Sequence, residues 1–226
     1  MKTKILTLIA ILFLFSGLRA QIPTDGLVLN LPLDGTVIDS SSYKNVCTNH
    51  GATAVADRTG KAGKAMAFDG YSYISIPSTK SLDLTGNKTL SCWVYVPSNV
   101  VLGMYPTLIF KNEPLKQSAT YCLHLTDCSC YNSNQHKFGF LTTTNTTHYE
   151  VYSKQLYTDN NNKWLHIVCT YDTVSGYSKI YFNGQLSDSI YNEKTISNTS
   201  DLDLNIGCSN TSDSRTFFNG YIVSYD

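Results

Sequence analysis

The chain has 226 residues, with 17 basic and 17 acidic side chains, 15% charged residues and 12% aromatic residues. A chain of this length can bury roughly 70% of its unfolded surface in one core, and its sparse charge with many rings excludes disorder, a coiled coil or a nucleic-acid-binding arm. Without Lys2, Lys4 and Arg19 of the first twenty residues, 14 cations would face 17 acids, so no basic patch steers the chain to nucleic acid or anionic lipid.

Lys2 and Lys4 precede an apolar run from Ile5 to Phe15, followed by Ser16-Gly17-Leu18-Arg19-Ala20. The run is shorter than the roughly 20 residues a spanning helix needs, so residues 1–20 are predicted to be a cleaved signal peptide. Gln21 would then begin the mature chain. It is not a lipid-accepting cysteine, and no later stretch reaches transmembrane length. The expected location is secreted, periplasmic or cell-surface exposed.

From Leu27 onward the chain reads as short strands. Alternation is clear in Leu27–Leu31, Ser72–Ile76, Leu90–Val96, Tyr121–Leu125, Phe138–Leu141, Trp164–Tyr171, Lys179–Phe182 and Phe217–Tyr225. No window carries a capped 3.6-residue repeat, so helix is expected below about 10%. Asp34-Gly35, Asp69-Gly70 and Asn219-Gly220 mark reversals, and Asn183-Gly184 between two strand signals is a hairpin signature because both residues tolerate positive φ. With no linker between these segments, residues 21–226 are predicted to form one all-β domain of two packed antiparallel sheets.

The seven cysteines are an odd set. In an oxidising compartment at least one stays free or pairs between chains, and the connectivity cannot be deduced. Cys122, Cys128 and Cys130, near His124 and His136, offer zinc ligand types, but their spacing matches no standard module. Local disulfides are the expectation. Sequons stand at Asn87, Asn145, Asn198 and Asn210.

The order of several short motifs carries a resemblance across nearly all of residues 26–223. They are Gly26-Leu27-Val28 before Pro32-Leu33-Asp34-Gly35; Asp39-Ser40-Ser41; Gly51-Ala52-Thr53; Gly63-Lys64-Ala65 before Phe68-Asp69-Gly70; and Ser81-Leu82-Asp83-Leu84. Leu90-Ser91-Cys92-Trp93-Val94, Trp164-Leu165-His166-Ile167-Val168, Thr170-Tyr171-Asp172, Tyr181-Phe182-Asn183-Gly184, Ile206-Gly207 and Phe218-Asn219-Gly220-Tyr221-Ile222 follow. Together they resemble the laminin-G-like jelly-roll domains of the concanavalin A-like lectin and glucanase superfamily. The resemblance implies a sandwich of two curved antiparallel sheets that binds glycans, proteins or lipids, or serves beside a catalytic domain. In that family the last strand is longer, whereas here Val223-Ser224-Tyr225-Asp226 closes the sequence, so a short or truncated final strand is expected.

Catalysis is not expected. Related glucanases use a Glu-x-Asp-x-x-Glu strand, and none of Glu113, Glu150 and Glu193 begins one. Asp201 and Asp203 alternate, but in a turn-rich segment. No G-x-S-x-G elbow occurs, and His166 reads as a packed histidine. A noncatalytic binding domain for a glycan or a surface protein fits better, either as an interaction module or as an accessory domain of a glycoside hydrolase system. The loop rings Tyr105 and Tyr131, with Asn132 and Asn134, are the candidate ligand contacts. Trp93 and Trp164 read as core. The pentraxin relatives imply calcium, with Asn112, Glu113, Asn210 and Asp213 as candidate ligands and Asp34 and Asp39 as rivals. They also imply a bridge between the strands holding Cys92 and Cys169. Each cysteine lies one residue late, which offsets the pair diagonally by about 7–8 Å, so two buried free thiols are the alternative.

Overall fold

Segments that alternate in polarity bury one face of a pleated strand and leave the other wet. In the computed structural model, which describes residues 23–113, 118–143, 147–194 and 200–224, these segments form fourteen strands. In chain order they are β1 (Thr48–His50), β2 (Thr53–Val55), β3 (Ala65–Asp69), β4 (Tyr73–Ile76), β5 (Lys88–Tyr95), β6 (Thr107–Glu113) and β7 (Ser118–Thr126). Then come β8 (Lys137–Thr143), β9 (His148–Tyr152), β10 (Trp164–Asp172), β11 (Tyr177–Phe182), β12 (Gln185–Tyr191), β13 (Leu204–Ile206) and β14 (Asn219–Val223). Sheet A has the order β1-β4-β13-β6-β7-β8-β9, and sheet B the order β12-β11-β10-β5-β14-β3-β2. Every ladder is antiparallel. The fold is the predicted all-β jelly-roll sandwich, and helix among the described residues is limited to four short 3₁₀ turns. No helix there is long and apolar enough to cross a membrane.

One core fills the space between the sheets. Phe68, Ile74, Val94, Leu108, Leu123, Phe138, Phe140, Ile167, Ile180 and Phe218 are all at most 2% exposed. Each such side chain contributes roughly 1.5–3 kcal/mol relative to exposure. The Asn183-Gly184 hairpin forms as its sequence demands, with φ of 50° and 78° between Phe182 and its ladder partner Gln185.

The predicted strand at Leu27–Leu31 does not form. Its polar backbone groups are claimed by side chains instead, because the Val28 carbonyl accepts from Ser41 Oγ and Asn45 Nδ2 and the Asn30 amide donates to Asp39. Asp39 is the hub of this corner. At 2% exposure it accepts from the amides of Asn30, Ser41 and Asn45 and from Ser41 Oγ and Asn45 Nδ2, all within 2.7–3.0 Å. The predicted closing strand contracts to Asn219–Val223 and reaches β5 only through Tyr221, Ile222 and Val223. The signal at residues 1–20, the sequons at Asn145 and Asn198, and Tyr225 lie outside the described residues.

Cys128 and Cys130 form a disulfide. Cys47, Cys92, Cys122, Cys169 and Cys208 are free. Cys92 pairs with Ile167 and Cys169 with Leu90, so the two thiols sit diagonally on the core face, as the alternative expectation had it. The positions that do face each other are Ser91 and Val168, one residue earlier in each strand.

Asp39→Ala would leave three buried amides without their acceptor, at a cost of about 1–3 kcal/mol each. We expect a loss of about 3 kcal/mol or more in urea unfolding at pH 7. Burial alone would raise the Asp39 carboxyl, but the amides of Asn30, Ser41 and Asn45 outweigh it and hold it below the ordinary carboxylate value. That stability is present above the ordinary carboxylate range and is lost as pH falls through the folded value, so the gap between wild type and Asp39→Asn should narrow in acid. A gap that widens in acid would contradict this account.

Candidate functional site

Alternation along β5 and β10 decides what sheet B shows to solvent. Leu90, Cys92 and Val94 of β5 and Leu165, Ile167 and Cys169 of β10 point inward and are buried. Ser91, Trp93 and Tyr95 therefore point outward, as do Trp164, His166 and Val168. The predicted core placement of Trp93 and Trp164 is thus corrected: one residue of parity puts both on the outer face.

Register then gathers the rings into two rows. Tyr95 stands opposite Trp164 on one side and Tyr221 of β14 on the other. Tyr95 and Tyr221 stack with centroids 5.0 Å apart and planes 10° apart, and Trp164 lies 5.6 Å from Tyr95. In the next row Trp93 is held between the Arg58 guanidinium, 4.8 Å from its centroid, and the His166 ring, 4.9 Å away. A His166 ring nitrogen lies 3.1 Å from Ser91 Oγ. Burial, with the nearby Arg58 charge, pushes the His166 imidazole below its ordinary value. Trp93 Nε1 is buried and has no hydrogen-bond partner. Trp93 is covered by Arg58 and His166, whereas Tyr221, Tyr95 and Trp164 form a cluster of mutually contacting rings, Trp164 lying 6.4 Å from Tyr221.

The residues singled out from sequence fall elsewhere. Tyr105 sits on a rim loop, its amide donating to the Arg215 carbonyl at 3.0 Å and its hydroxyl 3.6 Å from Cys130 Sγ. Asn132 and Asn134 share that rim in the turn over Ser129–Asn134, where Asn134 Oδ1 accepts from Lys137 Nζ at 3.2 Å. The Tyr131 side chain lies outside the described residues. Asn210 and Asp213 join the same rim through Arg215.

The four candidate calcium ligands do not converge. Ile206 pairs with Ile109, and the Gly207 amide donates to the Leu108 carbonyl, so the loop bearing Asn210 and Asp213 leaves at the Thr107 end of β6. Asn112 and Glu113 occupy the other end, about 15 Å along the strand. The Asp213 carboxylate is already bound by Arg215 at 2.8 Å. Of the rivals, Asp34 holds Lys64 at 2.9 Å and Asp39 holds its five donors. The zinc ligand types are also separated: Cys128 and Cys130 are bonded to each other, and His136 is held by Asp127 at 2.9 Å. Among the described residues no group of three His, Cys, Asp or Glu side chains could hold a metal ion.

Asp201 and Asp203 are exposed and lie off any strand. A titratable cluster does occur on the outer face of sheet A. Glu150 is hydrogen-bonded to His124 through Oε1 and accepts from the Tyr152 hydroxyl at 2.5 Å through Oε2. Gly139 lies between His124 and Tyr152 in the ladder, and a Cβ there would come within 2.6 Å of His124 Nε2 and 2.9 Å of Glu150 Oε1. Burial favours a protonated Glu150, but the His124 hydrogen bond and charge outweigh it and hold the carboxyl below its ordinary value. Cys122, two residues from His124 on the same face, is buried and its thiol is pushed well above the ordinary range, so it offers no thiolate. This cluster is a satisfied ionic bond.

The family model Laminin_G_3, described as the concanavalin A-like lectin/glucanases superfamily, matches residues 68–225, and the chain belongs to that family. No curated protein matches the sequence. Among solved structures, the chain is similar to the binding domain of Paraclostridial Mosquitocidal Protein 1, with a TM-score of 0.67 and 17% identity over 88% of this chain and 47% of that one. It is also similar to the botulinum neurotoxin serotype G binding domain, with a TM-score of 0.63 and 19% identity over 86% of this chain and 45% of that one. A third is the botulinum neurotoxin serotype D ligand binding domain in complex with N-acetylneuraminic acid, at 0.64 and 16% over 90% and 48%. The chain spans about half the length of each, and at this identity the likeness is one of fold.

Gly139→Ala should force His124 and Glu150 apart, costing about 1–3 kcal/mol at neutral pH. The lowered Glu150 carboxyl contributes stability above the ordinary carboxylate range that is lost as pH falls through the folded value. The cost of the substitution should therefore shrink in acid, as measured by guanidinium midpoints at pH 7 and pH 3.

Proposed function

We propose that the chain is a secreted, noncatalytic binding domain that recognises carbohydrate through the Tyr221, Tyr95 and Trp164 row. The observation that carries this reading is the outward cluster of those three rings, Tyr95 stacked on Tyr221 and Trp164 tilted against both. A pyranose offers a face of C–H groups that packs on an aromatic ring, while phenol hydroxyls supply the polar contacts that orient it. Beyond Tyr221 the ladder neighbour on β3 is Ala67, only a methyl. Beyond Trp164, pairing with β11 has already stopped, the first pair being Ile167 with Phe182. The three rings touch one another, with Trp164 and Tyr221 only 6.4 Å apart, and the cluster has no bulky ladder neighbour on its β3 and β11 sides.

The similar structures named as binding domains, one of them solved with N-acetylneuraminic acid, favour the same reading. The signal-like residues 1–20 support export, and mass spectrometry of a secreted product should then find Gln21 first. Calcium support is part of the proposal without an assigned ligand set; weaker binding in chelator is the result that would support it.

The test is a glycan array followed by titration of the strongest glycan. Trp164→Ala and Tyr95→Ala should each weaken binding about tenfold. Both side chains point away from the core, so the thermal midpoint should stay near wild type. Binding to no glycan, or ring variants of unchanged affinity, would dismiss the reading; a partner captured from surface extract that resists free sugar would favour protein recognition instead.

A further inference from the structure

The rim segment between β7 and β8 holds a feature that the carbohydrate reading does not use. The ends of this segment are fixed without any crosslink, because Thr126 pairs with Lys137 in the β7–β8 ladder. Just inside that pair the Asp127 carboxylate accepts from the Tyr157 hydroxyl at 2.5 Å, and His136 Nδ1 lies 2.9 Å from the same oxygen. Gln135 Nε2 donates to the Asp127 carbonyl and the His136 amide to the Thr126 carbonyl. Tyr157 is 3% exposed, so these bonds tie the base of the loop to the core. The Cys128–Cys130 bridge adds little to them. It spans a single residue, and the stabilisation from a disulfide grows with the length of the loop it closes. Stability therefore does not account for this bridge, and its surroundings point to chemistry.

The two sulfurs stand in different environments. Cys128 is 7% exposed, and its Sγ accepts from the Cys130 amide at 3.0 Å. Cys130 is exposed, with the Tyr105 hydroxyl 3.6 Å from its Sγ. A thiolate attacks the sulfur it can reach, and exchange is faster when the departing thiol has a low pKa. A backbone amide aimed at the departing sulfur favours its thiolate form. Both conditions select one direction, attack at Cys130 and departure of Cys128. The chain's other cysteines do not supply the attacking group. Burial pushes the Cys122 and Cys169 thiols well above the ordinary range and Cys92 and Cys208 up to about 12. Burial and the Asp39 charge push Cys47 up to about 11. The attacking thiol is external.

We propose that the Cys128–Cys130 bridge is an exchange site for a low-molecular-weight thiol of the glutathione kind, which it holds as a mixed disulfide on Cys130. The external thiolate bonds to Cys130 Sγ as the Cys128–Cys130 bond breaks, and the electron pair of that bond leaves on Cys128 as a thiolate. One disulfide is consumed and one is formed, with no net oxidation. Return attack by Cys128 on Cys130 Sγ restores the bridge and expels the small thiol. A second external thiolate that attacks the outer sulfur of the adduct instead yields an external disulfide and leaves both protein cysteines reduced. The rim that bears Tyr105, Asn132 and Asn134 thus carries a reversible covalent modification.

The test is to incubate the full chain with millimolar reduced glutathione, quench with iodoacetamide under native conditions, digest in acid and map the peptides by mass spectrometry. The trapped species should carry glutathione on Cys130 and the alkyl group on Cys128. With oxidised glutathione, Cys128→Ser should form its adduct on Cys130 at least about tenfold faster than Cys130→Ser forms one on Cys128. The double variant Cys128→Ser/Cys130→Ser should keep its urea midpoint within about 10% of wild type. Glutathione on Cys128 or another cysteine in place of Cys130, or no adduct at all, overturns the proposal. So does a large loss of stability in the double variant, which would make the bridge a structural staple, or seven alkylatable thiols in the unfolded, unreduced chain. If a variant does not fold, the wild-type peptide map decides alone. None of these results bears on glycan binding, which is read on the Tyr95 and Trp164 variants.

Discussion

The antiparallel register between β5 and β10 is the constraint on which the molecule depends. It pairs eight residues on each strand, from Lys88 with Tyr171 to Tyr95 with Trp164. Since a pleated strand alternates strictly, this one register assigns Leu90, Cys92, Val94, Leu165, Ile167 and Cys169 to the core and Trp93, Tyr95, Trp164 and His166 to solvent. A slip of one residue would turn one strand over, burying its tryptophan and exposing its three inward side chains. The aromatic face and the hydrophobic core are therefore one solution, and neither could be altered alone.

Polar side chains do the work of attaching irregular segments to this frame. Asp39 fastens the first described residues by hydrogen bonds to Asn30 and Asn45. At the far end of β6, Lys111 is fully buried, with its ammonium 2.7 Å from Ser78 Oγ and 2.6 Å from the Leu202 carbonyl and an Asp83 carboxylate 3.9 Å away. Ser78 in turn donates to the Ser200 carbonyl. A buried cation is costly unless its donors are met, and here they tie two loops to a strand. Such anchors spend charge on holding loops, which explains why acids in turns made poor predictors of a metal site.

The architecture was legible because alternation is local. Tyr121–Leu125, Phe138–Leu141 and Trp164–Tyr171 lie within observed strands, and the Asn183-Gly184 turn closes the hairpin its residues require. What was not legible depends on partners distant in sequence. Leu27–Leu31 alternates as well as any strand, yet Asp39 and Asn45 capture its backbone first. Trp93 and Trp164 read as core from their places within and at the entry of strands, although the parity that turns them outward is visible beside Val94 and Leu165. The union of Tyr221 with Tyr95 required the β14–β5 pairing, which joins residues more than a hundred positions apart. The separation of the residues expected to hold calcium has the same origin: chain order could not reveal that Asn112 and Glu113 stand at the opposite end of β6 from the loop of Asn210 and Asp213.

The buried free thiols carry one more consequence. Cys92, Cys122, Cys169 and Cys208 are buried, and burial lifts Cys92 and Cys208 to about 12, far from the thiolate that exchanges with disulfides. Packing is thus their only shield from oxidants. In an oxidising medium, a molecule that opened even briefly would expose several reactive sulfurs at once and could be trapped by scrambled crosslinks before it closed again. Its lifetime there would be governed by how seldom the sandwich opens and less by the equilibrium between folded and unfolded chains.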